Sequence, residues 1–260
     1  HRDLHSFPTR RSSDLRRDFI DKILSQASKV YIEDLINLKK VLKQRNSLLN
    51  QAKSERYFNY SLLEPWTDLL FQLSSSIVYR RKKFIKEFIP HFLKYYSIVT
   101  DNKEYVSLDY IPALFNGELT GELWEKEDIM KVFKKLAVKL KNVEIQRGVT
   151  LFGPQKDEFK IMLNSGVAKE YASQGQHKSL LISIKFAEFE FLLNKRNETP
   201  IFLLDDIFSE LDPARVEKVL QLLIENSAQT FITSTEKSYL IKSLQNNNYT
   251  LFYIQNGIVQ

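Results

Sequence analysis

The stretch Ile201-Phe202-Leu203-Leu204-Asp205-Asp206-Ile207-Phe208-Ser209-Glu210-Leu211-Asp212 decides how this chain is read. Its four leading apolar residues predict a strand buried on both faces, as in a parallel sheet covered by helices. Two carboxylates follow at the C-terminal end of that strand, where open α/β sheets hold their ligands. Neighbouring carboxylates in such a place are costly without a positive partner, and a hard cation such as Mg2+ suits oxygen ligands. A core strand ending in an Asp-rich turn gives the same pattern, so this stretch alone leaves both readings open.

A second motif lies upstream. Tyr171-Ala172-Ser173-Gln174-Gly175-Gln176 places Ser173 32 residues before Asp205 (205 − 173). Ser173 and Gln176 have the spacing of a capping box, and an apolar run from Leu180 to Leu193 follows. A hydroxyl and a glycine at a helix start make a phosphate site, because unpaired backbone N–H groups point outward there. An ordinary capped helix has the same form. Taken in series, residues 201–206 have the form of a Walker B strand, and Ser173-Gln174-Gly175-Gln176 that of the signature motif of ABC-type ATPases. Ser209 to Asp212 then stands where a D-loop belongs.

At this point a family resemblance becomes specific. Residues 173–193, 201–212 and 231–236 together resemble the C-terminal portion of the RecF family, bacterial recombination-mediator ATPases related to SMC-type heads. Gly153-Pro154-Gln155-Lys156-Asp157 is similar to a motif the family carries as Gly-Pro-His-Arg-Asp, and residues 16–21 and 43–49 resemble the start of its helical arm. The likeness covers residues 16–260. It implies an α/β fold class: the C-terminal lobe of an ABC ATPase head (residues 146–260) preceded by a helical arm domain (residues 16–145). Residues 1–15 contain His-Ser-Phe-Pro-Thr-Arg-Arg-Ser-Ser-Asp-Leu, which looks like translated adapter sequence, and are expected to be a non-native tail.

None of the seven glycines precedes a lysine, so the 260 residues contain no Gly-x-x-x-x-Gly-Lys-Ser/Thr P-loop. RecF proteins carry that loop near their N-terminus, and the chain is expected to be a fragment, inactive as an ATPase alone. The resemblance implies an intact protein that is a slow ATPase, dimerising on ATP and binding duplex DNA near single-strand junctions in recombinational gap repair, replication and the SOS response. ATP and Mg2+ are the implied cofactors, and a RecR-type mediator the implied partner. Asp205 would hold Mg2+ through water, and Asp206 would orient the attacking water. Ser173 and the Gly175 N–H, within the Ser173-Gln174-Gly175-Gln176 signature, would meet the γ-phosphate of a partner subunit; Ser209 and Asp212 would couple the two sites. Two departures stand out. No switch histidine lies near Thr233-Ser234-Thr235, and Gln155-Lys156 replaces His-Arg beside Asp157.

Charge and composition bound the rest. Residues 16–145 carry 23 Lys/Arg against 17 Asp/Glu, whereas residues 146–260 carry 12 against 13, so the basic excess belongs to the first part. Basic runs there include Arg80-Arg81-Lys82-Lys83, a candidate DNA contact, since cationic faces neutralise phosphates and release counterions; a solvated helix face gives the same composition. Zero cysteines exclude disulfides and thiolate metal sites and fit a reducing cytoplasm, nucleoid-associated in the resemblance. No apolar segment is long enough to span a bilayer, so no membrane partner is expected.

Helical spacing runs from Asp18 to about Phe58 and from Glu64 to about Tyr96, with Pro65 at a first helical position and Pro90 expected to kink or interrupt the second run. Tyr95 to Val106 reads as strand and turn, Lys126 to Leu140 as a third helix. Val149–Phe152 and Phe159–Leu163 read as strands, 166–193 as the signature helix and 212–226 as the next. Phe231–Thr233 and Thr250–Ile254 are expected to close the sheet. The arm lacks sustained heptads, which favours RecF over an SMC-like or nuclease-associated ABC head. A stand-alone, non-catalytic DNA- or partner-binding module is the alternative from another class.

Overall fold

The computed structural model describes residues 13–113, 124–196, 198–209, 211–226, 228–235, 249–255 and 258–259. Helix α1 (Ser13–Ala27) is followed at once by α2 (Lys29–Ser54). Ser28 separates them: its extended backbone ends α1, and its hydroxyl caps α2 by accepting from the Tyr31 N–H. The expected single run from Asp18 is therefore two helices, and residues 1–12 of the expected tail lie outside the described residues.

Helix α3 (Glu64–Thr100) is the backbone of the molecule. Pro65 sits in its first turn, where no N–H is needed. Pro90 neither breaks the helix nor shortens it, and it lies on the solvent-exposed side of α3. The apolar face repeats every three to four residues through Phe84, Phe88, Phe92, Tyr96 and Val99, which carries the helix past Tyr95 where a strand was expected. It stops at Asp101 and Asn102, both at positive φ (61° and 56°).

Strand β1 (Val106–Ile111) pairs antiparallel with β2 (Glu158–Leu163), which pairs with the short β3 (Gly166–Val167). The expected boundary at 145/146 thus falls between two strands of one sheet. Between them runs α4 (Lys126–Arg147), one to two turns longer than expected and closed by Gly148 at φ 70°. Val149–Phe152 is not a strand. Two of its backbone donors go instead to side chains, Thr150 N–H to Asn46 Oδ1 (2.8 Å) and Leu151 N–H to Glu144 Oε1 (2.7 Å), while the Val149 N–H donates to the Glu144 carbonyl.

The short helix α5 (Ala168–Tyr171) precedes α6 (Gln174–Arg196), so the expected 166–193 helix is divided at Ala172-Ser173. Helix α6 lies along α3, with Phe84 and Phe191 edge-on at 4.9 Å and Tyr95 stacked on Phe186 at 5.2 Å. Strand β4 (Phe202–Asp205) pairs parallel with β5 (Thr230–Thr233), and α7 (Pro213–Glu225) crosses between them. Phe202 packs on Phe189 at 4.6 Å and Phe186 at 5.0 Å.

The expectation that β4 is buried on both faces is corrected here. Phe202, packed on α6, and Leu204 are buried, but Leu203 is 71% exposed and Phe231 of β5 53%. Only one face of this sheet is covered among the described residues. Residues 251–253 are irregular, and β6 (Ile254–Gln255) pairs with β7 (Ile258–Val259), so among the described residues the 250–254 segment does not join the β4–β5 sheet.

Candidate nucleotide-binding site

The signature segment begins on a reciprocal cap. The Ser173 N–H donates to Gln176 Oε1 (2.8 Å), and the Gln176 N–H donates to Ser173 Oγ (3.2 Å). Each side chain satisfies a backbone donor that the first helical turn cannot. Ser173 and Gln174 remain exposed, Gly175 and Gln176 half-buried, while α6 from His177 onward enters the core. The motif is therefore a surface feature held by a buried helix.

At the end of β4, Asp205 Oδ1 accepts a hydrogen bond from Thr233 Oγ1 of β5. Asp206 follows at φ 47°, a left-handed conformation in a non-glycine residue. Such strain persists only where the surroundings fix it. Here they do: the Asp206 N–H donates to Thr233 O and Thr233 Oγ1 (both 3.1 Å), and its carbonyl accepts from Ser209 Oγ (2.9 Å) and Lys178 Nζ (3.0 Å). Ile207 and Phe208 are buried beneath this turn and anchor it. Asp212 caps α7, accepting from the Arg215 N–H at 3.0 Å.

Lys178 was not singled out from the sequence. Its ammonium bonds both the Asp206 carbonyl and Ser209 Oγ (3.2 Å), tying the signature helix to the carboxylate turn. The structure thus ties the helix that begins at Ser173-Gln174-Gly175-Gln176 to the Asp206–Ser209 turn, through a residue five positions on from Ser173. Asp205 and Asp206 supply two carboxylates at the mouth of the sheet. That fits Mg2+, which uses one or two protein carboxylates and keeps water or phosphate for the rest. Among the described residues no group of three His, Asp or Glu forms a larger metal cage.

The basic run on α3 does not form one face. Arg80 lies 3.8 Å from Asp34, Lys82 places its ammonium 4.6 Å from the Trp124 ring, and Lys83 is exposed. Arg81 is withdrawn from any DNA-contacting role by burial. Its guanidinium bonds Asp157 Oδ2 (2.8 Å), the Pro154 carbonyl (2.7 Å), Asp21 and the Tyr31 hydroxyl. The Gly153–Asp157 turn is thereby joined to α1 and α3: Asp157 also accepts from the Tyr110 hydroxyl and the Ala113 N–H (3.1 Å). Burial pushes the Asp157 carboxyl up, against the Arg81 charge. Among the described residues no helix is long and apolar enough to cross a membrane.

The chain is similar to known proteins of one family. The family described as RecF/RecN/SMC N terminal domain matches residues 93–260. The DNA replication and repair protein RecF of Chloroherpeton thalassium is 37% identical over 233 residues, 88% of this chain and 61% of that protein. Its counterpart in Parabacteroides distasonis is 39% identical over 255 residues, 96% of this chain and 65% of that protein. A solved structure of the recombination mediator protein RecF with ATP, from the RecFOR pathway, superposes with a TM-score of 0.81 at 28% identity over 97% of this chain and 64% of that one. The chain spans less than two thirds of the length of the relatives it matches.

Proposed function

The chain belongs to the RecF/RecN/SMC N terminal domain family, and from that premise we propose that it forms the arm and the signature-bearing lobe of a RecF-type ATPase in DNA replication and repair. The observation that carries this reading is that the helix capped by Ser173 and Gln176 is tied to the Asp206–Ser209 turn through Lys178. An isolated capped helix needs no such tie.

In the proposed protein, ATP binds a P-loop on one subunit and is closed over by the signature of a second. Ser173 Oγ and the Gly175 N–H hold γ-phosphate oxygens at the helix N-terminus, where the dipole and free donors favour anions. Asp205, held by Thr233, would hold Mg2+ through water, and the ion when present would neutralise phosphate charge. Asp206, fixed in its left-handed turn, holds and orients a water. Its side chain is shorter than a glutamate's, which suits slow hydrolysis and a switching role. Ser209 and Asp212 lie at the dimer face. Duplex DNA, single/double-strand junctions, an ATP-dependent homodimer, a RecR-type mediator and a cytoplasmic, nucleoid-associated location complete the proposal, supported by the RecF likeness alone. Lys83, with Arg80 and Lys82 beside it, remains as the DNA-contacting part of the basic run.

The test is to join this chain to the P-loop lobe of a relative and measure duplex binding with and without ATP. Binding that rises with ATP supports the reading, and binding indifferent to ATP, or no binding at all, overturns it.

A further inference from the structure

Arg215, in the first turn of α7, is a junction of three parts of the molecule. Its Nε lies 3.1 Å from Asp212 Oδ2, the cap of its own helix. Nη1 donates to Ser179 Oγ at 2.6 Å and lies 3.4 Å from the Gly175 carbonyl, both on the first turns of α6. Nη2 donates to Glu104 Oε1 at 2.9 Å, and the other Glu104 oxygen accepts from the Tyr96 hydroxyl of α3. Ser179 Oγ closes the circuit by donating to the Gly175 carbonyl at 2.9 Å. The four acceptors on one guanidinium come from the D-loop cap, the signature helix and the connection between α3 and β1.

We propose that Arg215 is a positioning residue that locks the first turns of the signature helix to the D-loop and to the arm, so that the three move as one body. The claim rests on reading 173–176 as a signature motif. A planar fork with five donors can serve all four acceptors at once, whereas a lysine's single point charge cannot span Glu104 and Ser179 together. The Gly175 carbonyl accepts from Ser179 Oγ and lies 3.4 Å from Arg215 Nη1, so the guanidinium reaches the signature turn both directly and through Ser179. A shift of the D-loop on nucleotide closure would pull α7, and with it the signature turn and Glu104. The contacts form a continuous physical route from the nucleotide to the arm.

The test is residue-resolved amide hydrogen exchange on the 260-residue chain, comparing the parent with Arg215→Lys and Glu104→Gln. Arg215→Lys should speed exchange at amides 177–180 and at Val216 about tenfold, the scale of one lost charge-assisted bond, and leave α2 and α4 unchanged. Glu104→Gln should loosen Tyr96 to Glu104 while sparing amides 177–180, because the Ser179 contact survives. If Arg215→Lys fails to fold, Ser179→Ala is read by the same local criterion. Unchanged exchange at 177–180, or a rise spread evenly over α3, α6 and α7, overturns the proposal. Once the chain carries a P-loop lobe, Arg215→Lys should lower kcat for ATP and leave KM unchanged. Local loosening in this chain, with no ATPase in the completed parent, would retain the lock and sink the ATPase reading instead.

Discussion

Arg81 of α3 and Asp157 of the Gly153–Asp157 turn form an ion pair at 2.8 Å in which both side chains are 2% exposed. The pair is supported on all sides, by Asp21, Tyr31, Tyr110 and the Pro154 carbonyl. A turn that resembles a motif carried by the RecF family thus serves to join the arm helices to the β1–β2 sheet.

Breaking that pair leaves an uncompensated buried charge. Arg81→Ala should therefore cost about 3–5 kcal/mol of folding stability. Lys83→Ala, on an exposed side chain of the same helix, should stay within about 0.5 kcal/mol. Chemical denaturation of both variants checks the contrast. Equal, small losses would show that Arg81 is not the joint it is described as.

A second expectation concerns nucleotide. The 260 residues contain no P-loop, so the chain alone should show neither appreciable ATP affinity nor hydrolysis in the presence of Mg2+. Titration calorimetry measures this directly; micromolar affinity would mean that another part of the chain cradles phosphate.

The outer face of the β4–β5 sheet makes a third. Leu203 and Phe231 stand exposed on it, and an uncovered apolar strand is a template for association. Amides 202–205 and 231–233 should exchange well before those of α3 and α6, or the chain should self-associate with concentration. Slow exchange there in a monomer would require a cover over this face.

The acid limb of stability should depend on Glu190. Burial alone would raise its carboxyl, but the Tyr95 hydroxyl, Lys94 and His91 together hold it below the ordinary range. A carboxyl lowered on folding contributes stability that is present above its unfolded value, about 4.3, and is lost as pH falls through the folded one. Glu190→Gln should flatten that loss below about pH 4.5. An unchanged acid limb would count against the cluster.

The features legible in the sequence are the local ones. The Ser173–Gln176 cap and the first-turn prolines Pro65 and Pro213 depend on spacings of a few residues, and the structure holds them as read. Arg80 to Lys83 misled because contiguity on a helix is not adjacency: successive residues turn by about 100°, and one of the four points into the core. The covering of β4 was illegible because four apolar residues look alike whichever face is packed. Lys178 and Arg215 escaped because their partners lie 28 and 40 residues away, at Asp206 and Gly175, and no spacing rule connects them.

The most direct test of the central claim is Ser173→Arg in this chain once it carries a P-loop lobe. The signature is proposed to act on the nucleotide of the other subunit, so the variant should bind ATP as the parent does yet fail to dimerise with it. Light scattering with and without ATP, alongside a nucleotide titration, reads both quantities. Loss of dimerisation with ATP affinity intact is the predicted result. ATP-dependent dimers that persist in the Ser173→Arg protein would contradict the account.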